Sequence, residues 1–164
     1  MLTQAMALSG STLPQVTDGG SISGVFHIVT TDGAGPVKAV LDPTGTGKFS
    51  EGTVLETVTQ VPGKNGNIAA PKQRSLWART LVAVGIMKRA ANVNEDFPMK
   101  FNVPAGTTCQ GEIGDQKNVC LVKIANSNKA GPFGGIVAIQ MVGAPAANPS
   151  SAPAPAKRAQ EFQA

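Results

Sequence analysis

Tyrosine is absent from this 164-residue sequence, histidine and tryptophan occur once each, and charged residues make up only 15% of it. A catalytic triad or a histidine-based metal site needs partners of defined type around the histidine, and a single histidine in an apolar strand segment is more simply interpreted as a packed side chain. No run of about 18 apolar residues is present, so no membrane-spanning helix is predicted. No G-x-G-x-x-G or Walker pattern occurs either, which argues against a glycine-rich phosphate loop.

The residues that are abundant favour short strands and turns. The sequence has 19 Gly and 12 Pro, and Val, Ile and Thr recur in short runs between them. This pattern predicts an all-β fold, an antiparallel β-sandwich of about seven or eight strands with an immunoglobulin-like two-sheet architecture.

Six segments carry the strand pattern: "SISGVFHIVTT", "VKAVLD", "TVLETVTQVPG", "DFPMKFNVPAG", "VCLVKIANS" and "GGIVAIQMV". The last two are continuous apolar runs and are predicted to be central strands. The fourth contains two prolines, which cannot donate to a ladder, so it is predicted to be an edge strand or an extended segment.

The predicted sandwich spans residues 13–143, with a flexible segment 1–12 before it and an Ala/Pro/Ser-rich disordered tail, 144–164, after it. An insertion at 72–92 has apolar residues near helical spacing and predicts one short amphipathic helix. That helix packs on the sandwich, or the stretch is an inserted loop; the alternative is a helix that contacts a membrane surface or a partner. Its apolar positions are Leu76, Leu81, Val84 and Met87.

The basic balance does not predict nucleic-acid binding. The net charge is +4 with a pI near 9.3, but five of the 14 basic residues fall between 72 and 89 and two more lie in the tail. A nucleic-acid face needs basic residues along a groove with aromatic rings to stack on, and the strand segments have neither.

The two cysteines, Cys109 and Cys120, enclose the polar loop of "CQGEIGDQKNVC". Their spacing fits neither a zinc site nor a redox C-x-x-C pair. A disulfide that closes the loop is predicted, stabilising by roughly 3 kcal/mol, and two buried free thiols are the alternative. Because disulfides persist outside the cytosol, the pair predicts secretion, although the N-terminus shows no signal peptide.

His27 is the weak candidate for a metal ligand. A copper site of the brace type would need a strand histidine beside a chain-terminal histidine, and this chain starts with Met. The acidic residues form no defensible pair for a glycosidase. No catalytic residue, cofactor or metal is therefore predicted.

Two turns precede strands and share the tripeptide Ala-Gly-Pro, in "DGAGP" and "KAGPFGG". Gly and Pro there set a sharp entry into the strand, and the Phe ring is expected to fold back over the end of the sheet. Loops 31–36, 109–120 and 127–135 are also predicted to form a binding surface at one end of the sandwich. The candidate surface residues are Asp32, Gly33, Gly35, Pro36, Lys129, Gly131, Pro132 and Phe133.

The segment "CQGEIGDQKNVCLVKIANSNKAGPFGGIVAIQM" resembles the C-terminal signature of the appressorium-specific virulence-factor family of fungi, the MAS, GAS and Egh-like proteins. "LPQVTDGGSISGVFHIVTTDGAGP", "VPGKNG" and "DFPMKFNVPAG" are similar to its middle region. The resemblance covers roughly residues 13–141, apart from the insertion. Relatives also carry further cysteines near the positions of Ala39 and Ile124, which suggests a cross-strand bridge that this chain lacks.

The resemblance implies a secreted fungal protein, non-catalytic, that acts at the host or fungal cell wall during penetration. Family members start with a secretion signal, so the chain is expected to be truncated at its N-terminus. The alternative is a copper-dependent polysaccharide oxygenase-like protein that uses the strand histidine and here lacks its N-terminal ligand. The oligomeric state is left open.

Overall fold

A computed structural model describes residues 12–69 and 92–143 of the chain, together with residues 4 and 10. These residues form an all-β structure, which confirms the predicted class. The predicted inserted helix and C-terminal tail, and nearly all of the flexible segment 1–12, lie outside the described residues. The strands are β1 (Gln15–Val16), β2 (Ser21–Thr30), β3 (Val37–Asp42), β4 (Thr53–Thr59), β5 (Asn92–Asn102), β6 (Gly111–Ile113), β7 (Gln116–Asn126) and β8 (Gly134–Met141), with a 3₁₀ turn at Phe49–Glu51.

The strands join into one nearly closed sheet, so the immunoglobulin-like arrangement of two separate sheets is not confirmed. The strand order is β1-β8-β7-β3-β4-β5-β2, with β6 paired to β7. Strand β4 connects the strands on the β3 side of the sheet to β5 and β2, because it pairs with β3 along 53–55 and with β5 along 56–59. All pairs are antiparallel except β1 with β8, which is parallel.

Strand β5 is internal, between β4 and β2, and so the prediction of an edge strand was wrong. Pro98 is tolerated because of where its nitrogen points. It lies opposite Val25 at a position that exchanges no hydrogen bonds with β2, and the last registered β4 partner on its other side is at Lys100. The missing N–H therefore removes no ladder bond.

Alternation along each strand directs one set of apolar side chains into the space that the sheet encloses. Phe101 and Ile28 are fully buried there, and Val37 and Val122 meet them from β3 and β7. The buried core is formed by Val16, Ile28, Ala34, Val37, Ala39, Leu41, Leu55, Val61, Phe101, Val103, Cys109, Cys120, Val122, Ile124 and Ile139.

Among the described residues, no helix is long and apolar enough to cross a membrane.

Cys109 and Cys120 form the predicted disulfide, with their Cα atoms 5.0 Å apart. It lies at the end of the sheet where β7 begins, away from loops 31–36 and 127–133. Loop 109–120 therefore does not share an end with the other two predicted loops.

The same end carries a buried carboxylate, Asp42. Burial raises the pKa of this carboxyl, but hydrogen bonds from the Thr44 hydroxyl and from the N–H groups of Thr44, Gly47 and Lys48 outweigh it and lower the pKa below its ordinary value. Asp42 thus holds the turn after β3 in shape.

Candidate binding site: an apolar groove beside a loop cluster

Three loops meet where β7 ends, and a buried asparagine, Asn126, joins two of them. Its Nδ2 donates to the carbonyl oxygen of Ala34 at 2.7 Å, and its Oδ1 accepts from the N–H of Phe133 at 2.8 Å. Its backbone N–H also donates to the Phe133 carbonyl. Loops 31–36 and 127–133 are thereby fixed against each other.

Asn128, also buried, connects the third loop. Its Nδ2 donates to the carbonyl oxygens of Asp32 and Gly66, at 2.6 and 3.0 Å, and its Oδ1 accepts from the N–H of Ala130. Gly66 permits this approach because a Cβ there would lie 2.5 Å from the Asn128 Cβ. We call loops 31–36, 62–68 and 127–133 the rim loops.

The predicted surface residues divide between these loops. Asp32, Gly33, Gly35 and Pro36 lie on the first rim loop, and Lys129, Gly131, Pro132 and Phe133 lie on the third. Gly35 is buried and is not a surface residue. A Cβ at Gly35 would lie 2.0 Å from the Val61 carbonyl oxygen, and its N–H donates to the Pro62 carbonyl, so it holds two rim loops together.

A groove of about 690 Å³ opens beside the rim loops, between β2 and β8. Val25, Val29 and Ile136 are exposed by 63%, 57% and 56%, and Phe133 by 39%. Of the predicted surface residues, only Gly33 and Phe133 line it. Phe133 therefore contributes to the groove, and the expectation that its ring folds back over the end of the sheet stays a prediction.

The groove exists because the described strands do not close the sheet. Strand β2 pairs only with β5 among the described strands, and β8 pairs with β7 and, at residues 140–141, with β1. Each strand therefore turns one edge towards the groove. The inner wall is formed by core-facing side chains such as Ile22, Met99 and Ile139.

His27 stands on the β2 side of the groove. It lies directly opposite Asp96 on β5, and its Nδ1 is 2.7 Å from Asp96 Oδ1. The β5 backbone bulges near Asn94, whose φ is 52°, and this brings Asn94 Oδ1 to 3.3 Å from His27 Nε2. Asparagine tolerates that left-handed conformation better than most residues.

The hydrogen bond to Asp96 is the main cause that raises the pKa of His27 above its ordinary value. Both ring nitrogens are thus engaged with neighbouring oxygens. Within 12–69 and 92–143, no three His, Cys, Asp or Glu side chains cluster as metal ligands would. The copper alternative receives no support from this geometry.

Sequence reasoning missed the groove, although one signal was present. The outer face of β2 should be polar, and Ser21, Ser23 and His27 fit that expectation. Val25 and Val29 share this face and break the alternation. A contiguous exposed apolar patch marks a contact surface, and Val25 and Val29 are the part of this patch that the sequence shows.

Comparison with known proteins agrees with the resemblance seen in the sequence. The Egh16-like virulence factor family profile matches residues 1–134. The chain is 33% identical over 159 residues to appressoria-specific virulence factor GAS1 of Pyricularia oryzae, covering 97% of the chain and 52% of GAS1. It is 35% identical over 151 residues to appressoria-specific virulence factor GAS2 of the same fungus, covering 92% of the chain and 42% of GAS2.

The chain thus spans about half the length of these curated relatives. No solved structure matches it. The matched residues include β2, the rim loops and the start of β8, where the groove lies. On this evidence the chain belongs to the Egh16-like virulence factor family.

Proposed function

We propose that this protein is a secreted, non-catalytic virulence factor that acts at the host or fungal cell-wall surface and uses the groove between β2 and β8 as its contact surface. The observation that carries the proposal is the exposure of Val25, Val29 and Ile136, which all line one groove. Aliphatic side chains gathered at a surface favour association, because covering them removes apolar area from water.

The names of the relatives support the biological setting. GAS1 and GAS2 are described as appressoria-specific virulence factors, and we extend that role to this chain. The Cys109–Cys120 disulfide supports secretion, because such bonds persist in oxidising compartments.

The chemistry of the groove supports binding over catalysis. Among the described residues that line it, His27 is the sole ionisable side chain, and Asp96 and Asn94 hold its ring. A serine or cysteine nucleophile would need a hydrogen bond to the imidazole, and both ring nitrogens of His27 instead contact Asp96 and Asn94. The proposal involves no cofactor.

A sedimentation assay tests the contact surface. Purified protein is mixed with isolated fungal walls and, separately, with host epidermal walls, and the bound fraction is measured. Ile136→Lys places a charge in the groove and should weaken binding by roughly fivefold or more. The matched control is Val54→Lys, because Val54 is exposed by 65% on β4 and does not line the groove.

Equal binding by the parent and by Ile136→Lys would show that the groove is not the contact surface. The non-catalytic part is tested on the same material. The protein should release no more soluble oligosaccharide from the walls than a heat-denatured sample does, and a reproducible excess would contradict that part.

A further inference from the structure

We propose that the groove binds an extended polypeptide segment, which adds as a strand to the edge of β8 that has no partner among the described strands. This inference rests on the proposed function, because it names the class of partner that the same groove takes. The partner is a segment with uncharged, alternately aliphatic side chains, supplied by another protein at the wall surface.

The hydrogen bonds of β8 show which backbone groups are free for such a strand. On the β7 side, the N–H of Asn126 donates to the Phe133 carbonyl, and the antiparallel register continues this pattern through Gly135, Val137 and Ile139. On the other side, the N–H of Gln140 donates to the Pro14 carbonyl and that of Val142 to the Val16 carbonyl. By alternation, Ile136 and Ala138 direct their N–H and C=O groups towards the groove.

Strand β2 presents the facing edge. The N–H of Val103 donates to the Gly20 carbonyl, so in this register Ile22, Gly24 and Phe26 bond to β5. Val25 and His27 therefore direct their backbone groups away from β5, towards the groove. Two sets of backbone donors and acceptors without described strand partners thus border one apolar site.

The edge of β8 already accepts an added strand. Strand β1 pairs with it in parallel, Gln15 opposite Gln140 and Val16 opposite Met141, and Pro14 lines the groove where that pairing stops. The groove continues the same edge from Ala138 to Gly134. A polypeptide placed there would extend an interaction that the fold already uses, which is the mode of β-strand addition.

The backbone groups without described partners also favour a polypeptide over other classes of ligand. An aliphatic ligand would cover the edge groups of Ile136 and Ala138 without bonding them, and each uncompensated polar group opposes binding. A polysaccharide would place hydroxyl groups against Val25, Val29 and Ile136, which offer them no hydrogen bonds. A strand bonds the backbone and buries the aliphatic side chains together.

The test begins with a displayed library of random linear octapeptides, selected on the purified full chain. Selected peptides are then synthesised unmodified and with N-methyl groups on alternate backbone nitrogens, in the two possible phases. We expect one phase to weaken binding at least tenfold, because it blocks the edge that faces β8, and the other phase to change binding less than about twofold.

Two protein variants locate the site. Ile136→Lys should lose at least tenfold in peptide affinity, and Val54→Lys should bind like the parent. Ala138→Pro removes a groove-facing N–H without removing a bond to β7, and should also lose at least tenfold. Thermal melts show whether Ala138→Pro is folded, and the N-methyl series gives the answer without that variant.

The outcomes separate this inference from the proposed function. Strand addition is overturned if no selected peptide loses affinity for the Ile136→Lys variant. It is also overturned if the peptides N-methylated in the two phases bind with equal affinity. The same holds if an octapeptide fails to bind while the fluorescent apolar probe 1-anilinonaphthalene-8-sulfonate occupies the groove and Ile136→Lys releases it. Wall binding that is lost in Ile136→Lys would then leave the proposed function intact. Wall binding that is unchanged in Ile136→Lys, together with phase-dependent peptide binding, would contradict the proposed function alone.

Discussion

Strands β7 and β2 are both long and rich in apolar residues, yet they have different surroundings. Strand β7 has β8 on one side and β3 with β6 on the other, and Val119, Cys120, Leu121 and Val122 are all buried. Strand β2 has β5 as its one described neighbour, and two of its valines are more than half exposed. The number of partner strands decides which backbone edges reach solvent, and the face on which a residue lies decides whether its side chain does.

The largest expected effect on stability is a difference between two neighbouring glycines at the start of β8. Gly134 lies against the backbone of β7, whereas Gly135 has open space beside its Cα. Gly134 has a φ of 154°, and a Cβ there would lie 1.9 Å from the Ile124 carbonyl oxygen on β7, whereas a Cβ at Gly135 meets no atom within 4 Å. Gly134→Val should therefore cost more than about 4 kcal/mol in the free energy of unfolding, and Gly135→Val no more than about 0.5 kcal/mol. Urea denaturation measures both, and equal losses would contradict the contrast.

The next effect concerns the rim loops. Asn128→Ala leaves the carbonyls of Asp32 and Gly66 and the N–H of Ala130 without their side-chain partner, so we expect a loss of about 2 kcal/mol in the free energy of unfolding. The control is Ser127→Ala, at the exposed neighbouring position, which should change it by less than about 0.5 kcal/mol. A stable Asn128→Ala protein would mean that the loops hold together without this network.

On the open side, truncation should affect stability less. The Phe133 ring is 39% exposed, so Phe133→Ala should cost about 1 kcal/mol and not the 3–5 kcal/mol expected of a fully buried ring. Lys129→Ala, on the same loop, should stay within about 0.5 kcal/mol. Thermal melts compare the two, and a loss above about 3 kcal/mol for Phe133→Ala would show that the ring belongs to the core.

The smallest effect is the titration of His27. Its pKa is raised by the hydrogen bond to Asp96, so protonated His27 stabilises the fold. This contribution is fully present below the unfolded value of about 6.5 and is lost as the pH rises through the folded pKa. An NMR titration should place the pKa of His27 above 6.5 in the parent and lower it in Asp96→Asn. An unchanged value in that variant would remove Asp96 as the cause.

The sequence predicted most of the strands, the turns between them and the disulfide, because these depend on local residue choice. The family resemblance also pointed to two distant positions, Ala39 and Ile124, where relatives are expected to carry cysteines. These two residues lie directly opposite each other on β3 and β7. Both are buried, so here apolar packing occupies the place where a cross-strand bridge would lie.

Partner choice was the part that the sequence could not supply. Alternation indicates which face of a strand is apolar, but it carries no information about which edge finds a neighbour. The continuous apolar run of β8 therefore suggested a central strand, although most of one edge faces the groove. The two prolines of "DFPMKFNVPAG" suggested an edge strand, although Pro104 lies beyond the end of β5 and Pro98 occupies a position without a ladder bond.

The central claim, that one edge of β2 and one of β8 are open, is tested most directly by residue-resolved amide hydrogen exchange. We predict protection at Ala39, Val40 and Leu41, which have partners on both sides. Along β2 and β8 protection should alternate: Phe26 and Val137 should exchange on the order of 100-fold more slowly than Val25 and Ile136. Equal protection of all four would contradict the account, because the groove would then already be covered within the chain.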